Sequence, residues 1–114
     1  MSEALYGTIT LVVGARTYTL RPTLEAALLI EARFGGLRGA LESMRLMSIS
    51  SSADIIVAGA GLGADKHAQV ATEVFQTGVA KVSTQLIDFI TVLLNPVPPS
   101  VVARGKDEAD STAP

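Results

Sequence analysis

Two alternating stretches separated by Gly14-Ala15 constrain this chain more than any other feature. Residues 7–13 (Gly-Thr-Ile-Thr-Leu-Val-Val) and 16–21 (Arg-Thr-Tyr-Thr-Leu-Arg) alternate apolar with hydroxyl or charged side chains, the period of a strand with one face turned inward. The two residues between them, glycine first, suit a tight hairpin turn. That loop sets Leu11 opposite Tyr18 and Ile9 opposite Leu20, so one face of the ribbon is wholly apolar. Thr8, Thr10, Thr17 and Thr19, with Val12, take the other face. A two-stranded ribbon is marginal in water by itself. Its apolar side therefore needs a cover, and the helical sequence that follows is expected to supply it.

Pro22 closes the second strand and Thr23 is an N-cap residue for a helix that begins at Leu24. Leu24, Ala27, Leu28, Glu31 and Phe34 share one face of it, and Leu29 and Ile30 widen the apolar surface, which predicts a core helix contacted from two sides. Gly35-Gly36 ends it. A second helix is expected over 37–47, with Leu37, Leu41, Met44 and Met47 along one side and Gly39 weakening it. After the serines of 48–52 a short third helix should start near Ala53, capped by Ser51 or Ser52, and stop at the glycines 59, 61 and 63. Asp65 is placed to cap a fourth helix, 66–77, with Val70, Val74 and Phe75 inward. The fifth, 79–94, has the longest periodicity: Val79, Val82, Leu86, Phe89, Ile90 and Leu93 recur at three and four residues. Asn95-Pro96 terminates it.

These elements predict an α+β domain over residues 1–95, a two-stranded antiparallel hairpin packed on four to five short helices. Residues 96–114 are rich in proline and mixed charge, and read as a flexible, disordered tail. With 48% hydrophobic residues among 114, the chain can bury one core without disulfides or metals. A net charge of −2 supplies no basic stripe for nucleic acid, so that partner is not expected. Absence of cysteine removes thiol redox chemistry and thiolate metal sites, and is compatible with a reducing cytoplasm. The amino terminus has neither the basic start nor the apolar run of a signal peptide. The most apolar late stretch, 86–94, is broken by Asp88 and falls short of the roughly 20 residues a bilayer span requires, so no membrane association is expected.

One motif points to a ligand. Residues 54–64 join an apolar run to Gly59-Ala60-Gly61-Leu62-Gly63-Ala64, the alanine variant of G-x-G-x-x-G. Its chemistry would be a tight turn at Gly59 and close approach of a pyrophosphate at Gly61, followed by helix amides that bind the charge. The reading requires Ile55–Ala58 to be a strand of a parallel sheet, and the acidic residue expected about twenty positions later is missing. Small residues that end one helix and let the next approach are the simpler account. His67, the sole histidine, lacks a partner at metal-ligand spacing and reads as a solvated residue at a helix start. The serines of 48–52 have no His and Asp arrangement beside them, and Glu25, Glu31 and Glu42 are not spaced for acid and base work. No catalytic, cofactor or metal site is expected, and the chain does not read as an enzyme.

The joint between hairpin and first helix carries a family resemblance. Thr17-Tyr18-Thr19-Leu20-Arg21, then Thr23-Leu24-Glu25-Ala26-Ala27 and a helix ending Ala32-Arg33-Phe34-Gly35 resemble the small tail-assembly chaperones of gene transfer agents and long-tailed phages, some of which have also been labelled tail tube proteins. The resemblance covers residues 5–95. It implies a non-enzymatic assembly factor, working in the host cytoplasm, that binds the long helical tape measure protein before tube subunits polymerise around it. It also implies a possible second partner in a frameshifted, longer form of the chain. A structural tail tube subunit is the alternative. The limited capacity of 95 residues to bury five apolar helices points to leftover apolar surface as the docking site. Leu28, Met44, Met47, Val82, Leu86, Phe89, Ile90 and Leu93 are the candidates, with helices one and five forming a groove for an amphipathic partner helix. The hairpin's unpaired edges leave self-association open as well.

Overall fold

A computed structural model describes residues 8–96. The tail assigned to 96–114 lies outside them beyond Pro96. Strands β1 (Ile9–Val13) and β2 (Arg16–Leu20) pair antiparallel, with Leu11 opposite Tyr18 and Ile9 opposite Leu20 as the alternation requires. Gly14 takes φ 64°, the left-handed conformation that a two-residue hairpin turn needs. Leu11, Val13, Tyr18 and Leu20 are buried, whereas Val12 and the threonines 10, 17 and 19 face solvent.

Five helices follow: α1 (Leu24–Phe34), α2 (Leu37–Arg45), α3 (Ile49–Ala60), α4 (His67–Thr77) and α5 (Val79–Leu94). Thr23 caps α1 by accepting from the Ala26 amide at 3.1 Å. Gly35, at φ 72°, closes it, with the Gly36 amide donating to the Glu31 carbonyl. The second helix stops at Arg45, two residues earlier than its apolar spacing suggests, because Met47 enters the left-handed region at φ 57°. A 3-10 turn, Ala64–Lys66, takes the place of an Asp65 cap before α4. Gly78, at φ 112°, stops α4 and lets α5 leave at 116° to the preceding helical segment.

The centre of the molecule is α3, not α1. Among the described residues it packs against the four other helices and β2, and buries Ser52, Ala53, Ile55, Ile56 and Gly59. Two physical facts make this possible. Ser48 caps it by accepting from the Ser51 amide at 3.1 Å, so the helix starts four residues earlier than expected at Ala53. Its small side chains also let neighbours approach on every side. A β-carbon built on Gly59 would stand 2.9 Å from the Phe89 ring and 3.2 Å from a Leu20 methyl, and the Gly59 carbonyl accepts from the Arg21 amide at 3.0 Å. The hairpin is therefore sealed mainly by α3, with α4 and α5 on β1.

The glycine motif belongs to this arrangement. Ile55–Ala58 are helical, and Gly61, φ 71°, is the left-handed C-cap of α3, with the Leu62 amide returned to the Val57 carbonyl. The strand demanded by a dinucleotide fingerprint is a helix here, so the pyrophosphate reading of 59–64 is overturned.

Candidate functional site

The helix that follows the hairpin in sequence, α1, turns part of its apolar surface outward. Ala26 and Ile30, one turn apart, are the buried line of α1, with Ala27 and Phe34 half-buried beside them. This corrects the expected inward face: Leu24 and Leu28 point to solvent. Leu24 is 75% exposed, Leu28 52% and Leu29 54%. The reason lies in the alternatives available. Among the described residues α1 packs chiefly on α2 and α3, and the narrow alanine-isoleucine line sits more closely on them than a leucine ridge would.

Between α1 and α3 runs a groove. Its larger part encloses about 450 Å³ and is lined by Leu29 and Ala32 from α1, with Val57 and Ala58 from α3. A second part of about 310 Å³ continues past the same Leu29, Val57 and Ala58 toward Arg21, Glu25 and Gly61. Ala32 and Ala58 are small, which leaves room between Leu29 and Val57 for the side chains of another helix. One end is polar and built. Asp54 Oδ2 accepts from Arg33 Nε at 3.1 Å, and Asp54 Oδ1 lies 3.0 Å from His67 Nε2. The same nitrogen is 3.2 Å from the Ser50 carbonyl. Facing two acceptors, Nε2 carries the ring hydrogen. This network ties α1, α3 and the start of α4 together. His67 is thus a bridging residue and not a solvated one; its partner Asp54 lies thirteen positions away, beyond any local spacing rule.

The eight candidate docking residues divide sharply. Leu28 and Met47 are about half exposed. Met44, Val82, Leu86, Phe89, Ile90 and Leu93 are buried in one continuous core with the hairpin and α3, which corrects their assignment to an outer surface. The apolar face of α5 closes the core against α2, α3 and β1, so the expected groove between helices one and five gives way to the one between α1 and α3. Phe75, expected inside, is 71% exposed, because Val70 and Val74 already occupy the inner line of α4. Leu24, Leu29, Leu46 and Phe75 are exposed residues that sequence reasoning did not select. Their signal was an apolar surface wider than one stripe, which is visible in the sequence only as a surplus.

A second polar cluster fixes the hairpin to α4. The Tyr18 hydroxyl donates to Glu73 Oε1 at 2.5 Å, and Arg16 Nε pairs with Glu73 Oε2 at 2.6 Å. Burial pushes the Tyr18 phenol up to about 12, and the hydrogen bond and negative charge of Glu73 act in the same direction, opposed by Arg16. Among the described residues no group of three or more His, Asp or Glu side chains is placed to hold a metal ion, and no single helix is long and apolar enough to cross a membrane. Compared with known proteins, the chain matches no protein-family model, no curated protein and no solved structure.

Proposed function

We propose that this chain is a non-enzymatic assembly factor, a tail-assembly chaperone of the phage type. It binds the helical tape measure protein and keeps it from aggregating until the tail tube forms around it. One observation carries the reading beyond the sequence resemblance: the outer half of α1 leaves Leu24, Leu28 and Leu29 in water beside a groove lined by Leu29, Ala32, Val57 and Ala58. A chaperone of this kind needs apolar surface held on a rigid support. Here Ala26 and Ile30 anchor the helix from below while its leucines stay available.

The client's mode of docking is an amphipathic helix laid along the groove, its large apolar side chains over Ala32 and Ala58 and its polar side outward. A frameshifted, longer form of the same chain is the second expected partner. The test is to mix the purified protein with tape measure fragments and measure how much fragment stays in solution. Protection at equal amounts, reduced by Leu28→Gln and Leu29→Gln, is the expected result. Fragments that precipitate as fast with the protein as without it would sink the proposal. Hollow tubes in electron micrographs of the concentrated protein would instead favour the tail tube alternative, which calls for strands longer than the five residues of β1 and β2.

A further inference from the structure

The exposed arc of α1 has an internal symmetry that bears on what covers it in the isolated protein. Glu25, Leu28, Leu29, Ala32 and Arg33 are all exposed and fall along one side of the helix. The order of charges is antisymmetric about the leucine pair: a carboxylate in the first turn and a guanidinium in the last. We infer that two copies of this chain associate through α1, with the helices antiparallel about a two-fold axis that passes between Leu28 and Leu29.

Three features of the face fit that arrangement. A two-fold interface must be self-complementary, each copy offering both the projection and the recess. The leucine ridge and the groove lie side by side on this surface, so Leu28 of one copy can enter the recess over Ala32 of the other. Antiparallel pairing about that axis sets Glu25 at the level of Ala32 and Arg33 of the second copy, and the same contact repeats on the opposite side. Arg33 pairs with Asp54 through Nε and is 62% exposed, so among the described residues its outer nitrogens are available to a second carboxylate. Small Ala32 near the middle of the arc permits close approach of the two backbones. Among the described residues the exposed large apolar side chains outside α1, Val12, Leu46, Met47, Phe75 and Leu94, are scattered along the chain and share no such face.

The inference concerns the chain alone and does not rest on the client reading. Sedimentation velocity on the full-length protein over a wide range of concentration is the primary test, with a concentration-dependent dimer expected. Glu25→Lys places like charges together at both ends of the pair, and should weaken the dimer on the order of tenfold or more. Leu28→Gln should do the same by removing the central contact, and circular dichroism checks that both variants keep their helices. The chain has no cysteine, so a single Leu28→Cys gives a clean second readout. Near the axis its thiol meets its own image and should form an interchain disulfide on mild oxidation, which requires α-carbons roughly 4.4–6.8 Å apart. Glu42→Cys, exposed on α2, should not. A monomer at every concentration overturns the inference, as does a dimer that neither Glu25→Lys nor Leu28→Gln weakens, for example one joined through the hairpin edges. A monomer that still protects tape measure fragments would sink the dimer and leave the chaperone reading standing.

Discussion

Two residues show how local rules and packing pull in opposite directions. Glycine inside a helix is less favourable than alanine by about 1 kcal/mol, so helix propensity alone predicts that Gly59→Ala stabilises the protein. The structure reverses the sign. The new methyl would meet the fully buried Phe89 ring at 2.9 Å, and overpacking of that kind costs about 1–3 kcal/mol. A lowered melting temperature by circular dichroism is the expected outcome, and an unchanged or raised one would contradict the packing described. Met47 offers the converse. A long side chain at φ 57° carries strain of about 1–2 kcal/mol that glycine does not. Met47 is half exposed, so Met47→Gly forfeits little burial and should raise the melting temperature. Strain of this sort concentrates where a side chain has a use. The sequence makes Met47 a candidate contact as part of the surplus apolar surface, but the backbone cost is invisible there, since φ is set by how α2 must turn to reach Ser48.

At the scale of elements, the hairpin is legible in full and the helices only in part. Alternation plus Gly14 determines the strand register because a slip of one residue would turn Leu11, Val13, Tyr18 and Leu20 outward. Thr23, Gly35 and Asn95 likewise announce the ends they make. What escaped was rank. α1 reads as the core helix, yet α3, in which Ile55, Ile56 and Val57 stand among serine, alanine and glycine, occupies the centre. α3 joins the two conditions for a central place, an apolar run at Ile55 and Ile56 to bury and small residues at Ser52, Ala53 and Gly59 that let neighbours approach closely. The joint between β2 and α4 provides a test at this scale. The phenol of Tyr18 is held protonated in the folded protein, up to about 12 against an ordinary 10.0. A raised value favours the neutral form, so its contribution to stability is whole below pH 10 and is lost as pH rises through 12. Chemical denaturation of the wild type should therefore weaken more steeply over that interval than denaturation of Tyr18→Phe. Parallel profiles for the two proteins would show that the Tyr18–Glu73 contact contributes nothing.

For the molecule as a whole, the separation of core from surface decides which candidate residues can meet a partner. Periodicity correctly grouped Val82, Leu86, Phe89, Ile90 and Leu93 on one face of α5, but a face has no label saying whether the molecule's own core or another protein will cover it. The expectation that some of the apolar face of α5 would be left outside is overturned, and the leucines left outside lie on α1, which was expected to be contacted from two sides. Phe89→Ala should cost about 3–5 kcal/mol through the cavity it opens, a large share of the roughly 5–15 kcal/mol that keeps a domain folded. Leu28→Ala, at a half-exposed position, should fall within about 0.5 kcal/mol of wild type. Denaturant titration of the two variants separates them. Equal and small losses would return Phe89 to the surface and with it the earlier assignment.

The slenderness of α3 has a further effect on how this protein can change. Because Ser52, Ala53 and Gly59 stand between several neighbours at once, adding bulk there moves those neighbours together. The penalties of such substitutions would then depend on what has already changed around them, in the non-additive way of residues that share contacts. The least conspicuous letters of the sequence act as a gauge for the spacing of everything around them. Variation would be absorbed most freely at the rim and least freely along this axle.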